Sequence, residues 1–316
     1  MELTDFTLDA YERLLETFET GQFQTVPVAA YLESPDRWDR CIVVRHDVDR
    51  RPTNALRMAR LESNHDVRST YYLREITFDP ETAEELFSLG HEVGYHYETL
   101  ARTSGDYAAA LDRFVDQLEA FREVVPVRTV AAHGSPLSPV DNADIWRGTI
   151  SPSDFGLLGE AYDLLEDAHG HAALPYFSDT GRTWDAGWEP ADRESELDND
   201  QIPTDEGGAS ATTQGGPGNS VAHVESTEDL VTVLRRGVVD RCCLLAHPSR
   251  WSRSGVGHVR SMAWDLGAES AKRLVEPAFV AHRGLHSTGT TLRQAAIGGA
   301  VTPFRVLGFD SPEREK

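Results

Sequence analysis

Apolar and polar positions along the chain follow two periods in turn. Residues 8 to 19 place Leu8, Tyr11, Leu14, Leu15 and Phe18 at helical spacing, whereas Cys41-Ile42-Val43-Val44 is a short continuous apolar run suited to a strand covered on both faces. Pro52 to Glu62 predicts a helix opened by proline, Ser69 to Leu73 a strand, and Pro80 to Leu89 a second proline-initiated helix stopped by Gly90. The alternation continues with a strand over Glu92 to Tyr97, a helix over Tyr107 to Val124 and a strand over Arg128 to Ala132. Thr227 to Arg236 then predicts a helix, Arg241 to Ala246 a buried strand, and Glu269 to Val275 a further helix. Strands and helices taking turns in this way point to parallel α/β architecture.

One stretch breaks the pattern. Residues 190 to 220 hold Asp, Glu, Gly, Ser, Thr and Asn with almost no apolar residues, too few to offset the entropy of ordering them, so a disordered acidic insertion is expected. No internal repeat is found. The simplest division is an N-terminal helical extension over 1–39, one elaborated α/β domain over 40–251 containing the insertion, and a C-terminal extension over 252–316 without a readable role.

Composition narrows the classes. The chain has 316 residues, 40% of them hydrophobic, enough for a sizeable core. Its formal net charge of −22 would repel nucleic acid and anionic membranes, so no nucleic-acid partner is expected. Lysine occurs only at Lys272 and Lys316, and this arginine-for-lysine, acid-rich balance resembles proteins of salt-accumulating halophiles. Cys41, Cys242 and Cys243 lie in apolar runs and read as core residues of a reducing compartment. The first residues lack a basic and an apolar signal region, and no stretch approaches the roughly 18 apolar residues of a membrane span. A cytoplasmic protein without a membrane span is the expectation.

The chemistry gathers behind the strands. In parallel α/β folds the carboxyl ends of the strands form the ligand face, so polar residues just after several strands should converge. Arg45-His46-Asp47-Val48-Asp49 follows the first apolar strand, and Asp47 and Asp49 alternate along an extended backbone so that both can face one side. Two like charges that close call for a cation or a shared proton; a divalent metal would let one carboxylate bind it and the other accept a proton from water. A capping or solvated loop role is the competing reading.

His96 and Glu98 are likewise two apart in Gly90-His91-Glu92-Val93-Gly94-Tyr95-His96-Tyr97-Glu98, and imidazole is a common zinc ligand. His133, at the end of the next strand, reads equally as ligand, substrate contact or turn residue. His247, where Leu244-Leu245-Ala246 meets solvent, is placed to act as a general acid. In Pro175 to Trp184, Asp179 could orient an Arg or His, and Trp184 could stack on a sugar or fill core. There is no phosphate-binding Gly loop, nucleophile elbow or paired Cys-x-x-Cys.

In their order these segments resemble the five motifs of the polysaccharide deacetylase family, carbohydrate esterases that share a NodB-homology domain, across roughly residues 40 to 251. Arg45-His46-Asp47-Val48-Asp49 looks like the family's first motif, which implies Asp47 as catalytic base and Asp49 as metal ligand. Gly90-His91-Glu92-Val93-Gly94-Tyr95-His96 is similar to the lead-in of the second motif, which implies His96 as ligand. The family's further His four residues on is Leu100 here. The third ligand is therefore open among His133, Glu98 and His91, in that order of preference. His247-Pro248 resembles the motif whose His protonates the leaving group, and Asp179 to Trp184 the one that borders the substrate groove, which implies Asp179, Arg182 and Trp184 as substrate contacts. The family's Arg-x-Pro-Tyr is absent, and His133-Gly134-Ser135-Pro136 stands in its place.

The resemblance implies a distorted (β/α) barrel. It implies a metal-dependent hydrolase, with zinc as the divalent ion, that removes N-acetyl or O-acetyl groups from a saccharide or sugar precursor. A hydrolase of small amides or ureides and a degenerate, non-catalytic saccharide-binding protein are the alternatives.

Overall fold

The computed structural model of the chain describes residues 5–135, 138–146, 149–166, 172–180, 183–186, 224–237 and 239–252. The expected acidic insertion at 190–220, Arg182, the predicted helix from Glu269 to Val275 and residues 253–316 lie outside these.

Among the described residues nine strands form one sheet, in the order β6-β5-β4-β3-β2-β9-β7-β8. These are Gly159–Glu160, Thr129–Ala132, Glu92–Tyr97, Thr70–Leu73, Cys41–Val48, Arg241–Ala246, Tyr176–Ser178 and Asp185–Ala186, with β1 (Gln24–Val26) off this path. All pairings are parallel except β7 with β8. Helix α3 (Pro52–Asn64) connects β2 to β3, α4 (Pro80–Ser88) connects β3 to β4, and α5 (Thr99–Arg102) with α6 (Tyr107–Arg122) connects β4 to β5. The result is a distorted (β/α) barrel whose sheet, among the described residues, ends at β6 on one side and β8 on the other.

Helix starts follow local chemistry. Asp79 and Asp106 accept from the backbone N–H three residues on and cap α4 and α6, and Ser226 with Asp229 forms a capping box at α7 (Thr227–Arg235). The N-terminal segment is tied into the same sheet. β1 pairs with the first half of β2, and β3 pairs with the second half on the same edge. Helix α1 (Leu8–Thr20) buries Tyr11, Leu14, Leu15 and Phe18 in the core that α7 and β9 share.

Strand β2 runs through the centre, buried along its whole length. Its even-numbered residues Ile42 and Val44 join the helix-facing core, while Cys41 and Val43 join the core inside the barrel with Tyr72, Ala131 and Cys243. The period of two thus carries Arg45, Asp47 and Asp49 up the inner face above an apolar floor. His46 faces the helices instead, where its Nε2 meets Glu62 Oε1 at 2.7 Å. All three cysteines are free and buried, as read from their apolar runs, and burial pushes the Cys41 thiol up to about 11.

Gly94 shows why the barrel needs a glycine on β4. It pairs with Tyr72 on β3, and a Cβ there would lie 2.3 Å from the Tyr72 ring and 3.0 Å from the Thr129 carbonyl oxygen. The Tyr72 hydroxyl is fixed to Thr129 Oγ1 at 2.8 Å, so the ring has little freedom to yield. Gly94→Ala is expected to destabilise the fold by about 1–3 kcal/mol, as overpacking does. An unchanged melting temperature would contradict this account.

Candidate metal centre and active site

Three inward-facing side chains, carried by β2, β4 and β5, meet at the carboxyl edge of the sheet. Asp49 follows β2, His96 lies near the end of β4, and His133 follows β5. One potential ligand atom from each lies within 4.8 Å of the others. Asp49 Oδ1 is 3.4 Å from His96 Nε2 and 3.5 Å from His133 Nε2. Two ligands each about 2.1 Å from a tetrahedral ion stand about 3.4 Å apart, so these separations fit a cation of zinc's size.

The protonation pattern points the same way. His96 Nδ1 lies 3.0 Å from the Ala131 carbonyl oxygen, which can only accept, so Nδ1 carries a proton and Nε2 is the nitrogen turned inward. Asp49 Oδ1 is buried and makes no hydrogen bond, an expensive state for a carboxylate oxygen unless a cation takes it up. Burial alone would raise the Asp49 pKa, but His96, His247 and His133 overcome it and hold the carboxyl far below its ordinary range. His133 is pushed down by burial. His96 is raised, because Asp47 and Asp49 outweigh the effect of its burial; a cation bound at Nε2 would take the place of a proton there, while Nδ1 stays bonded to Ala131.

Asp47 sits one inward position below Asp49, with Oδ2 3.6 Å from His96 Nε2. Arg45, fully buried two residues earlier, grips it with a fork: Nε donates to Oδ1 at 3.2 Å and Nη2 to Oδ2 at 2.9 Å. The guanidinium lies 5.4 Å from the Tyr72 ring centre and 5.2 Å from that of Tyr162. Burial would raise the Asp47 pKa, yet Arg45 first, then His96 and His247, keep it below the usual carboxylate range. Asp47 is therefore held ionised.

His247, just after β9, approaches from the far side, its Nε2 4.0 Å from Asp49 Oδ2. Its other nitrogen is anchored: Nδ1 lies 2.6 Å from Asp179 Oδ1, while the His247 backbone N–H and Trp251 Nε1 donate to Oδ2 at 2.8 and 3.0 Å. Arg250 Nη1 donates to Asp179 Oδ1 at 2.8 Å and to its carbonyl at 2.9 Å. His247 first, then Arg250, outweigh burial and hold Asp179 at about 2.

The structure thus gathers Asp47, Asp49, His96, His133 and His247. Of the other sequence candidates, Arg182 lies outside the described residues and the rest are held by other partners. Asp179 is wholly buried behind His247, where every oxygen is committed to an internal partner. Trp184 is buried against Phe6 and Trp251 and donates from Nε1 to Thr227 Oγ1 at 3.0 Å, so its ring fills core. Glu98 is taken up by Arg74 and Arg102. His91 faces the opposite side of the sheet, between Ser69 Oγ at 3.0 Å and the Ala59 carbonyl at 3.0 Å. Arg45, Arg74 and Arg250 were not singled out from sequence; the two-residue spacing of Arg45 and Asp47 on one strand was the available signal.

No protein-family model and no curated protein matches the chain. Solved structures do. A CE4 family pseudoenzyme from Bacillus anthracis is 15% identical with a TM-score of 0.37, over 73% of this chain and 62% of the other. A mutant of that protein with restored enzymatic activity gives the same identity and TM-score. The peptidoglycan deacetylase PdaC from Bacillus subtilis is 12% identical with a TM-score of 0.31, over 75% of this chain and 97% of the other.

The chain is similar to CE4-family structures.

It spans 62% of the length of the pseudoenzyme, and at this distance the roles of its side chains rest on its own site. None of the helices among the described residues is long and apolar enough to cross a membrane.

Proposed function

We propose that the chain is a metal-dependent hydrolase that removes acetyl groups, N-acetyl first among them, from a saccharide or sugar precursor. The observation that carries this reading is the spacing of Asp49, His96 and His133, whose donor atoms sit at 3.4 and 3.5 Å across a buried carboxylate oxygen with no hydrogen bond. Two nitrogens and one oxygen suit zinc, and three protein ligands leave room for water and substrate. A divalent ion bound there would polarise the acyl carbonyl and make water more acidic.

The remaining groups divide the proton work. Asp47, ionised and locked by Arg45, lies beside the ligands and takes the proton of the attacking water. His247, aimed by Asp179, stands on the other side of Asp49 and gives a proton to the departing nitrogen or oxygen. Flanking the reacting carbon with a base on one side and an acid on the other is what amide or ester hydrolysis requires. The similarity of the five sequence segments to the polysaccharide deacetylases supports a sugar as the acyl carrier.

Purified protein stripped with a chelator and reloaded with zinc should show acetate release from N-acetylglucosamine oligomers that disappears and returns with the metal. Stoichiometric zinc without acetate release from N- or O-acetylated saccharides would overturn the enzymatic reading.

A further inference from the structure

Glu98 follows the end of β4, two residues after His96, yet its carboxylate is occupied elsewhere. Arg74 Nη2 donates to both oxygens at 2.7 Å, and Arg102 Nη2 donates to Oε1 at 2.8 Å. The remaining approach of Oε2 is to His133 Nδ1, at 3.5 Å. Arg74 also donates from Nη1 to the Asp49 carbonyl at 3.3 Å, so one arginine holds both Glu98 and the backbone of Asp49.

His133 Nδ1 has a second neighbour, Ser135 Oγ at 3.2 Å. A hydroxyl can donate or accept, so by itself Ser135 leaves the imidazole tautomer open. Asn142 sharpens the problem. Its Oδ1 accepts from the Ala101 N–H at 2.9 Å, which turns Nδ2 toward the His133 carbonyl at 2.7 Å and Ser135 Oγ at 3.0 Å. Ser135 therefore already accepts from Asn142 and keeps its own proton available for His133 Nδ1. In that arrangement the neutral ring would carry its proton on Nε2 and could not bind a cation. A carboxylate, in contrast, only accepts.

We infer that Glu98 is a positioning residue of the metal centre: it holds the proton on His133 Nδ1, so that Nε2 faces Asp49 with a free lone pair. The inference rests on the reading of Asp49, His96 and His133 as ligands. It gives His133 the orienting acceptor that the Ala131 carbonyl gives His96. Arg74 and Arg102 keep Glu98 charged and keep it from turning to the cation itself.

Zinc affinity, measured by competition with a chromophoric chelator on the full chain, tests this with E98A, E98Q and H133A. E98A should bind zinc roughly 10- to 100-fold more weakly. E98Q, which retains an acceptor oxygen, should lose less. Nitrogen-15 NMR of the metal-free native protein should show His133 protonated on Nδ1, with the Nε2–H form gaining population in E98A. The inference is overturned if E98A binds zinc within twofold of native while H133A has lost it, or if native His133 carries its proton on Nε2. Unchanged affinity in H133A would instead overturn the ligand assignment.

Discussion

Asp47→Asn is expected to lower turnover by roughly 10²- to 10⁴-fold, the usual contribution of a positioned general base. Zinc content should stay near stoichiometric, because Asp49, His96 and His133 are untouched. The structure adds a second effect. Arg45 is wholly buried, and Asp47 is the carboxylate its fork grips. The neutral amide would leave that charge uncompensated, at a cost of about 3–5 kcal/mol. Arg45→Met alone removes the charge and its partner's anchor together, so the double variant should recover part of the stability without recovering turnover. Assays therefore belong well below the melting temperature of the variant. A folded, zinc-loaded Asp47→Asn protein that turns over within tenfold of native would remove Asp47 from the role of base.

Glu62→Leu should produce the largest loss of stability outside the site. Glu62 is fully buried on the helix side of β2, and its carboxylate accepts from the Tyr11 hydroxyl, from Ser69 Oγ at 2.7 Å and from the Tyr71 hydroxyl at 2.8 Å, with His46 Nε2 at 2.7 Å. Removing the acceptor strands several donors at once, and a loss of about 3–5 kcal/mol is expected.

The same group sets an acid limit. Burial opposes ionisation, but His46, His91 and the Tyr11 hydroxyl bring the Glu62 pKa down to about 2 from an ordinary 4.5. A depressed carboxylate stabilises the fold fully above its unfolded pKa and loses that contribution as pH falls. The stability of native protein should decline between pH 4.5 and about 2, and Glu62→Leu should flatten that limb. Equal acid sensitivity in the two proteins would show that the limb belongs to other groups.

Much of the barrel was legible because its strands and helices carry strong local signals. The strand Glu92–Tyr97 and the strand Arg241–Ala246 have the bounds read from their apolar runs, and α1, α3, α4, α6 and α7 end within two residues of expectation. What local pattern could not supply was anything decided at a distance. β1, of three residues, and β6, of two, are strands only because β2 and β5 pair with them. The contact of Tyr11 with Glu62 spans 51 residues and leaves no periodic trace.

In the site, spacing was informative where one strand carried both groups, as with Asp47 and Asp49. It was ambiguous where the answer depended on a neighbouring element. Sequence leaves Glu98 and His133 alike as third ligands, whereas in the fold Arg74, from the end of β3, and Arg102, from α5, take the carboxylate. Trp184 likewise could not be told from a sugar platform until Phe6 and Trp251 were found against it.

Strand β2, finally, checks its own alignment. Its inner face bears an arginine and a carboxylate and its outer face a histidine among aliphatic side chains, so a slip of one residue against β3 or β9 would exchange the two sets. Arg45 and Asp47 would then bring a buried ion pair under the helices, and His46 would lose Glu62. An error in pairing is thus penalised on both faces at once, and the alignment that builds the barrel is the same one that aims the carboxylates.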